Sequence, residues 1–164
     1  RDRSSDVCSS DLLDEDIMLF RDFLFFIKSY SIKIYLDMKG YGEKICDILP
    51  GILDECLEPS YIYEYIYIAS FNIKHIEKLH NMRKGYKLGI ITENVFPREI
   101  IEILINIYNL TFVCFHWTVL DDNISKFMKE RQVQIFTYTN KSDNILHFMK
   151  KKILIDGIVT NYKF

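Results

Sequence analysis

Six short runs of β-branched and aromatic residues, separated by stretches of helical apolar spacing, set the architecture of this chain. The runs begin near positions 33, 64, 87, 111, 132 and 154, and after the first interval they recur every 21–24 residues. Strict alternation of strand and helix at that repeat requires right-handed crossovers and a parallel sheet. Two architectures satisfy it, a doubly wound open sheet and a (β/α)8 TIM barrel. No Gly-x-Gly-x-x-Gly and no Gly-x-x-x-x-Gly-Lys-Ser/Thr follows any run, which weakens a nucleotide-binding sheet. The short, regular units favour the barrel, which needs about 250 residues. The chain has 164 residues, so the expectation is a partial barrel of about six parallel strands, with two further strands expected upstream.

The predicted elements follow from pattern. Residues 13–30 carry Ile17, Phe20, Phe23, Leu24 and Ile27 at helical spacing, with Asp14 and Asp16 favouring the N-terminus through the helix dipole. Residues 43–56 form a helix that Pro50-Gly51 should break or kink. Residues 64–70 read as a strand, and 73–84 as a helix closed by Gly85. Strands are expected over 86–92, 111–117 and 133–139, and Pro97 opens the helix after the first of these. Residues 121–130 and 142–151 are helices, with Asp121 or Asp122 and Ser142 as caps. Asp156-Gly157 interrupts the last strand, 153–160.

Residues 1–12 stand apart. They are a Ser/Asp mixture in which Ser-Ser-Asp occurs twice, at 4–6 and 9–11, with no apolar core of a signal peptide. This leader looks like a translated adapter and is expected to be non-native or disordered. The structural unit is 13–164.

Charge and cysteine usage narrow the functional classes. Twenty-one basic against 23 acidic side chains leave no cationic excess for a nucleic-acid partner. No apolar run approaches the roughly 20 residues of a membrane span. Cys8, Cys46, Cys56 and Cys114 form no C-x-x-C pair, and reduced thiols in a cytoplasmic protein are the default.

The stretch Ile32–Gly40 alternates apolar and polar residues, putting Asp37 and Lys39 on one face at a strand's C-terminal end. Opposite charges there suit a meeting of a cation with an anionic substrate; a solvated ion pair explains them equally well. His116 and Trp117 also fall at a strand end, where barrels place their sites. Phe136 reads either as a substrate contact or as core. Glu93 reads as loop solvation, and His75, His80 and His147 as surface residues on helices.

Four segments resemble the glycerophosphodiester phosphodiesterase family. Leu36-Asp37-Met38-Lys39-Gly40 resembles its strand ending Glu-x-Lys, and Ile68-Ala69-Ser70-Phe71-Asn72 its Ile-Ser-Ser-Phe-Asp/Asn. Ile135-Phe136-Thr137-Tyr138-Thr139-Asn140 resembles Val-Trp-Thr-Val-Asn, with Phe136 for the tryptophan, and Asp156–Tyr162 resembles the closing Asp-Gly-Ile-Ile-Thr-Asp-Tyr. The resemblance implies metal-assisted hydrolysis of glycerophosphodiesters to a glycerol phosphate and an alcohol, a role in lipid metabolism. It implies Asp37 as a ligand of a divalent metal ion (Mg2+ or Ca2+) and Lys39 as a phosphate contact; His116, from its place at a strand end, and Phe136, as an aromatic packing surface, are the other expected substrate contacts. The family's His-Arg-Gly, Glu-x-Asp and second histidine are absent upstream of Asp37, so this chain alone is expected to be inactive and the catalytic residues stay unassigned. The alternatives are a non-catalytic barrel that binds a phosphorylated ligand or a protein partner, and an unrelated fold. In an unrelated fold, Asp37, Lys39, Ser70, His116 and Thr137 would divide between the two faces of the sheet. An incomplete barrel also implies self-association through open sheet edges.

Overall fold

A computed structural model describes residues 18–82, 85–140, 142–152 and 154–160. The leader 1–12, with Asp14, Asp16, Ile17, Asn161 and Tyr162, lies outside the described residues. The elements are α1 (Phe20–Ile27), β1 (Ile34–Met38), α2 (Lys44–Cys56), α3 (Pro59–Tyr65), β2 (Ile66–Ser70), α4 (Ile73–Asn81) and β3 (Lys87–Thr92). They continue with α5 (Arg98–Tyr108), β4 (Phe112–His116), α6 (Asp122–Glu130), β5 (Gln134–Asn140), α7 (Asp143–Lys152) and β6 (Gly157–Thr160).

The six strands form one parallel sheet in the order β1-β2-β3-β4-β5-β6, each hydrogen-bonded to its neighbours in sequence. Neighbouring strands lie about 4.8 Å apart, so in a flat sheet β1 and β5 would be separated by roughly 19 Å. Yet the Tyr35 ring of β1 stands 5.9 Å from the Phe136 ring of β5. The sheet is therefore strongly curled, as part of a barrel is.

The curl divides the core in two. The larger part lies between the convex face and the helices and contains Ile34, Ile66, Ile68, Leu88, Ile90, Val113, Phe115 and Ile135 with the apolar stripes of the helices. The smaller part fills the concave side with Tyr67, Ala69, Ile91, Phe112 and Cys114, against which Tyr35, Phe136, Tyr138 and Val159 pack. Two buried faces explain why β2 is buried at all five positions and reads as a continuous apolar run.

Four local expectations need correction. Pro50 does not break α2, which runs unbroken from Lys44 to Cys56. Cys46 and Leu49 before it and Leu53 and Cys56 after it are all buried on one stripe, and that burial offsets the roughly 3 kcal/mol that an interior proline costs. The strand expected from 64 begins at Ile66, because Pro59–Tyr65 winds into a helix with Pro59 in its first turn. Residues 156–157 mark the start of β6, not its middle. Gly85 takes φ +65° but does not cap α4, because that helix ends at Asn81 with Met82 as its C-cap. The two N-caps stand as expected: Asp121 accepts from the Ile124 N–H at 2.8 Å and Ser142 Oγ from the Ile145 N–H at 3.3 Å. Among the described residues no helix is long and apolar enough to cross a membrane.

Candidate active site at the mouth of the curled sheet

Register fixes which side chains face the concave mouth. Asp37 pairs with Ala69, Ala69 with Gly89 and Gly89 with Phe112, while His116 pairs with Tyr138. Asp37 and His116 therefore end the inward rows of β1 and β4 at their C-terminal ends, with Tyr138 beside His116 near the end of β5, where barrels carry their sites. Just past β1, Lys39 Nζ lies 2.7 Å from Asp37 Oδ2, and its ammonium stands 5.2 Å from the centre of the Phe71 ring. Phe71 meets Tyr138 edge-on at 5.7 Å, and Tyr138 meets His116 edge-on at 5.4 Å. One unbroken series of contacts, Asp37–Lys39–Phe71–Tyr138–His116, thus crosses the mouth from β1 to β5. On its β1–β2 side opens a cleft of about 890 Å3 lined by Lys39, Tyr41, Phe71, Lys74 and Phe96.

The electrostatics follow from burial. The Lys39 side chain is 70% exposed, so its pair with Asp37 contributes little to stability, and the ammonium is available to an anion. His116 Nδ1 accepts from the Thr118 hydroxyl at 2.6 Å and from the Thr118 N–H at 3.4 Å. That pattern puts the ring proton of the neutral imidazole on Nε2. Burial, then the charges of Glu93, Cys114 and Asp37, hold the Tyr138 phenol well above the ordinary range, so it remains a hydrogen-bond donor. Glu93, just past β3, is exposed, as loop solvation has it.

Beneath the mouth, burial pushes the Cys114 thiol from 9.0 up to about 12, and Tyr35 hydrogen-bonds to it. The unfolded chain loses that proton from about pH 9, whereas the folded chain keeps it. The folded state then binds more protons than the unfolded one, so stability is complete below about pH 9 and declines above it, by about 1.4 kcal/mol per pH unit for this group. The Tyr35 and Tyr138 phenols are raised in the same direction and steepen the decline above about pH 10. The urea midpoint is expected to drop between about pH 8 and about pH 10.5; an unchanged midpoint refutes the assignment.

The structure separates the expected site residues. Asp37, Lys39 and His116 come together at the mouth. Phe136 lies one inward position below Tyr138, stacked on Phe112 at 4.8 Å, in the floor of the concavity. Trp117 lies just past β4, its N–H donating to the Tyr138 carbonyl at 3.0 Å. Ser70 and Thr137 face the helices, because they pair with Met38 and Phe115 in the outward rows. The five strand-end residues therefore do divide between the two faces, as expected of an unrelated fold; side-chain parity alone produces that division in any strand, so it does not separate the two readings. His75, read from the sequence as a surface residue, is fully buried. Its Nδ1 lies 2.9 Å from Ser70 Oγ and its Nε2–H donates to the Gly42 carbonyl at 3.1 Å. His80 is half-buried against Tyr108, and His147 is exposed. Sequence reasoning missed Tyr138, although it sits two residues beyond Phe136 on the same inward row.

The donor set does not by itself make a divalent-ion site. Among the described residues no three His, Cys, Asp or Glu side chains converge as metal ligands, and Asp37 already holds the Lys39 ammonium.

No family model and no curated protein matches the sequence. Solved structures do. A phosphodiesterase from Oleispira antarctica, solved with its product sn-glycerol-3-phosphate, superposes with a TM-score of 0.73 over 87% of this chain and 57% of that one, at 13% identity. A Galdieria sulphuraria protein named for glycerophosphodiester phosphodiesterase activity gives 0.76 over 99% of this chain and 69% of its own, at 15% identity. This chain has the glycerophosphodiester phosphodiesterase fold. A Parabacteroides distasonis enzyme of that name matches at 0.69 over 86% of this chain, with 11% identity. The chain spans a little over half the length of the Oleispira and Parabacteroides structures, 57% and 58%.

Proposed function

We propose that this chain serves phosphodiester hydrolysis of the glycerophosphodiester type, and that its mouth holds the glycerophosphoryl part of the substrate. The observation that carries this is the Lys39 ammonium, held 2.7 Å from Asp37 at the end of an inward strand row. It stands in a fold shared with a phosphodiesterase solved with sn-glycerol-3-phosphate. Lys39 pairs with the phosphoryl charge, the Nε2–H of His116 donates from the opposite side of the mouth, and Phe136 supports the floor. Asp37 orients Lys39; we derive no metal-dependent step from the described donors.

Lys39→Ala is expected to weaken binding of sn-glycerol-3-phosphate roughly ten- to a hundredfold, the value of a charge-assisted hydrogen bond. Calorimetric titration of the chain reads this, and equal affinity for both proteins refutes the assignment. Because Lys39 is so exposed, the variant is expected to remain folded.

A second reading, a non-catalytic barrel that binds a phosphorylated ligand, is favoured by one feature. Asp37 is engaged by Lys39 and His116 Nδ1 by Thr118, which leaves no pair of unengaged acid and base groups among these residues. Incubation with glycerophosphocholine separates the two. Release of glycerol phosphate establishes hydrolysis, and binding without release establishes the second reading.

A further inference from the structure

Among the described residues, three buried side-chain oxygens or nitrogens find no hydrogen-bond partner: the hydroxyls of Tyr86, Thr137 and Tyr138. An unpartnered buried hydroxyl costs about 1–3 kcal/mol, so each calls for a reason. Thr137 faces the helices, and the phenol of Tyr86, which precedes β3, lies within the influence of Asp54 and Tyr63. Only Tyr138 belongs to the mouth.

Three observations converge on its hydroxyl. The ring is fixed between two mouth side chains, edge-on to Phe71 at 5.7 Å and to His116 at 5.4 Å. Tyr138 pairs with His116 on the inward row of β5 and packs on the concave cluster, at the rim of the concavity. Its neighbours leave it a proton and no acceptor. Phe71, which flanks the ring, follows β2 and is 49% exposed, so it can move without rearranging the sheet.

We propose that the Tyr138 phenol is a ligand-binding group of this mouth, donating its hydrogen to a phosphoryl oxygen of the ligand held by Lys39. This inference rests on the proposed phosphodiester reading and deepens it. Lys39 supplies charge from the β1 side, and Tyr138 supplies a neutral, directional donor from the β5 side. The two hold different oxygens of one phosphoryl group. Discrimination follows, because a site with a buried donor rejects ligands that leave it unpaired.

Tyr138→Phe tests this with the ring contacts intact. Wild type, Tyr138→Phe and Lys39→Ala are titrated with sn-glycerol-3-phosphate and with inorganic phosphate, and each is unfolded in urea. The expected result is a roughly five- to tenfold loss of affinity for both ligands in Tyr138→Phe, with a urea midpoint no lower than that of wild type. Unchanged affinity in Tyr138→Phe alongside weakened binding in Lys39→Ala overturns this inference and leaves the phosphodiester reading standing. A loss confined to sn-glycerol-3-phosphate overturns the phosphoryl assignment, since the phenol then contacts the glycerol. A lowered midpoint overturns it too, because the hydroxyl then has an internal partner. Failure of wild type to bind either ligand overturns both readings.

Discussion

Phe112→Ala is expected to destabilise the fold by about 3–5 kcal/mol, the usual cost of emptying a buried aromatic site. Phe112 is fully buried on β4, and its ring lies 4.8 Å from Phe136, 5.5 Å from Tyr67 and 5.9 Å from Tyr35. These rings come from β1, β2, β4 and β5, so Phe112 is where the curl of the sheet is filled. The glycine opposite explains how so large a ring fits. Gly89 on β3 pairs with Phe112, and a Cβ there would stand 2.4 Å from the Phe112 ring. Gly89→Ala therefore overpacks the concavity, at about 1–3 kcal/mol. The two substitutions must not be additive. In the Phe112→Ala background the extra methyl enters the space left by the ring, so Gly89→Ala becomes neutral or stabilising. Urea unfolding of the four proteins measures the coupling, and simple additivity would show that the ring does not occupy the space over Gly89.

His75→Ala is expected to cost about 2–4 kcal/mol and to disturb the cleft as well. The imidazole takes with it the hydrogen bond to the Gly42 carbonyl and the Nδ1 contact with the Ser70 hydroxyl, and a cavity remains between α4 and the sheet. Ser70 is itself a junction. Its one hydroxyl hydrogen faces two acceptors, the Met38 carbonyl at 3.0 Å and His75 Nδ1 at 2.9 Å, and its oxygen accepts from the Asn72 N–H at 3.0 Å. His75 and Ser70 together tie the end of β1, the loop at Gly42 and the start of α4 into one unit, and that loop carries Lys39 and Tyr41. Loss of His75 is thus expected to weaken sn-glycerol-3-phosphate binding along with stability. A variant that unfolds at the wild-type urea midpoint would contradict this role.

The alternation of strand and helix was legible because parallel strands buried on both faces are continuous apolar runs. Ile66–Ser70 and Phe112–His116 announce themselves in this way. What could not be read was decided by packing. The aromatic segment Pro59–Tyr65 has strand-like residues but winds into a helix, and Pro50 stays inside α2 because the stripe around it is buried. At the site, Asp37 and Lys39 were legible from alternation and His116 from its place at a strand end. His75 was not, because a histidine beside the apolar stripe of Ile76 and Leu79 has the same local pattern whether it faces water or a serine. Ser70 and Thr137 sit at strand ends like Asp37 and His116, but parity turns them to the helices; one residue of offset moves a side chain to the other face.

The strand order has a consequence for how the molecule assembles. Every strand pairs only with the strand next to it in sequence, so each pairing closes a loop of a few tens of residues, and the entropy of closure grows only slowly with length. Neighbour-only pairing of this kind favours stepwise growth, in which each newly made unit docks on the one before it. The ring contacts across the concavity are the exceptions, and the longest of these among the described residues, between Tyr35 and Phe136, joins residues about a hundred positions apart. It can form only once five strands are in place, so the concavity that holds the candidate site comes into being late, after the sheet that supports it.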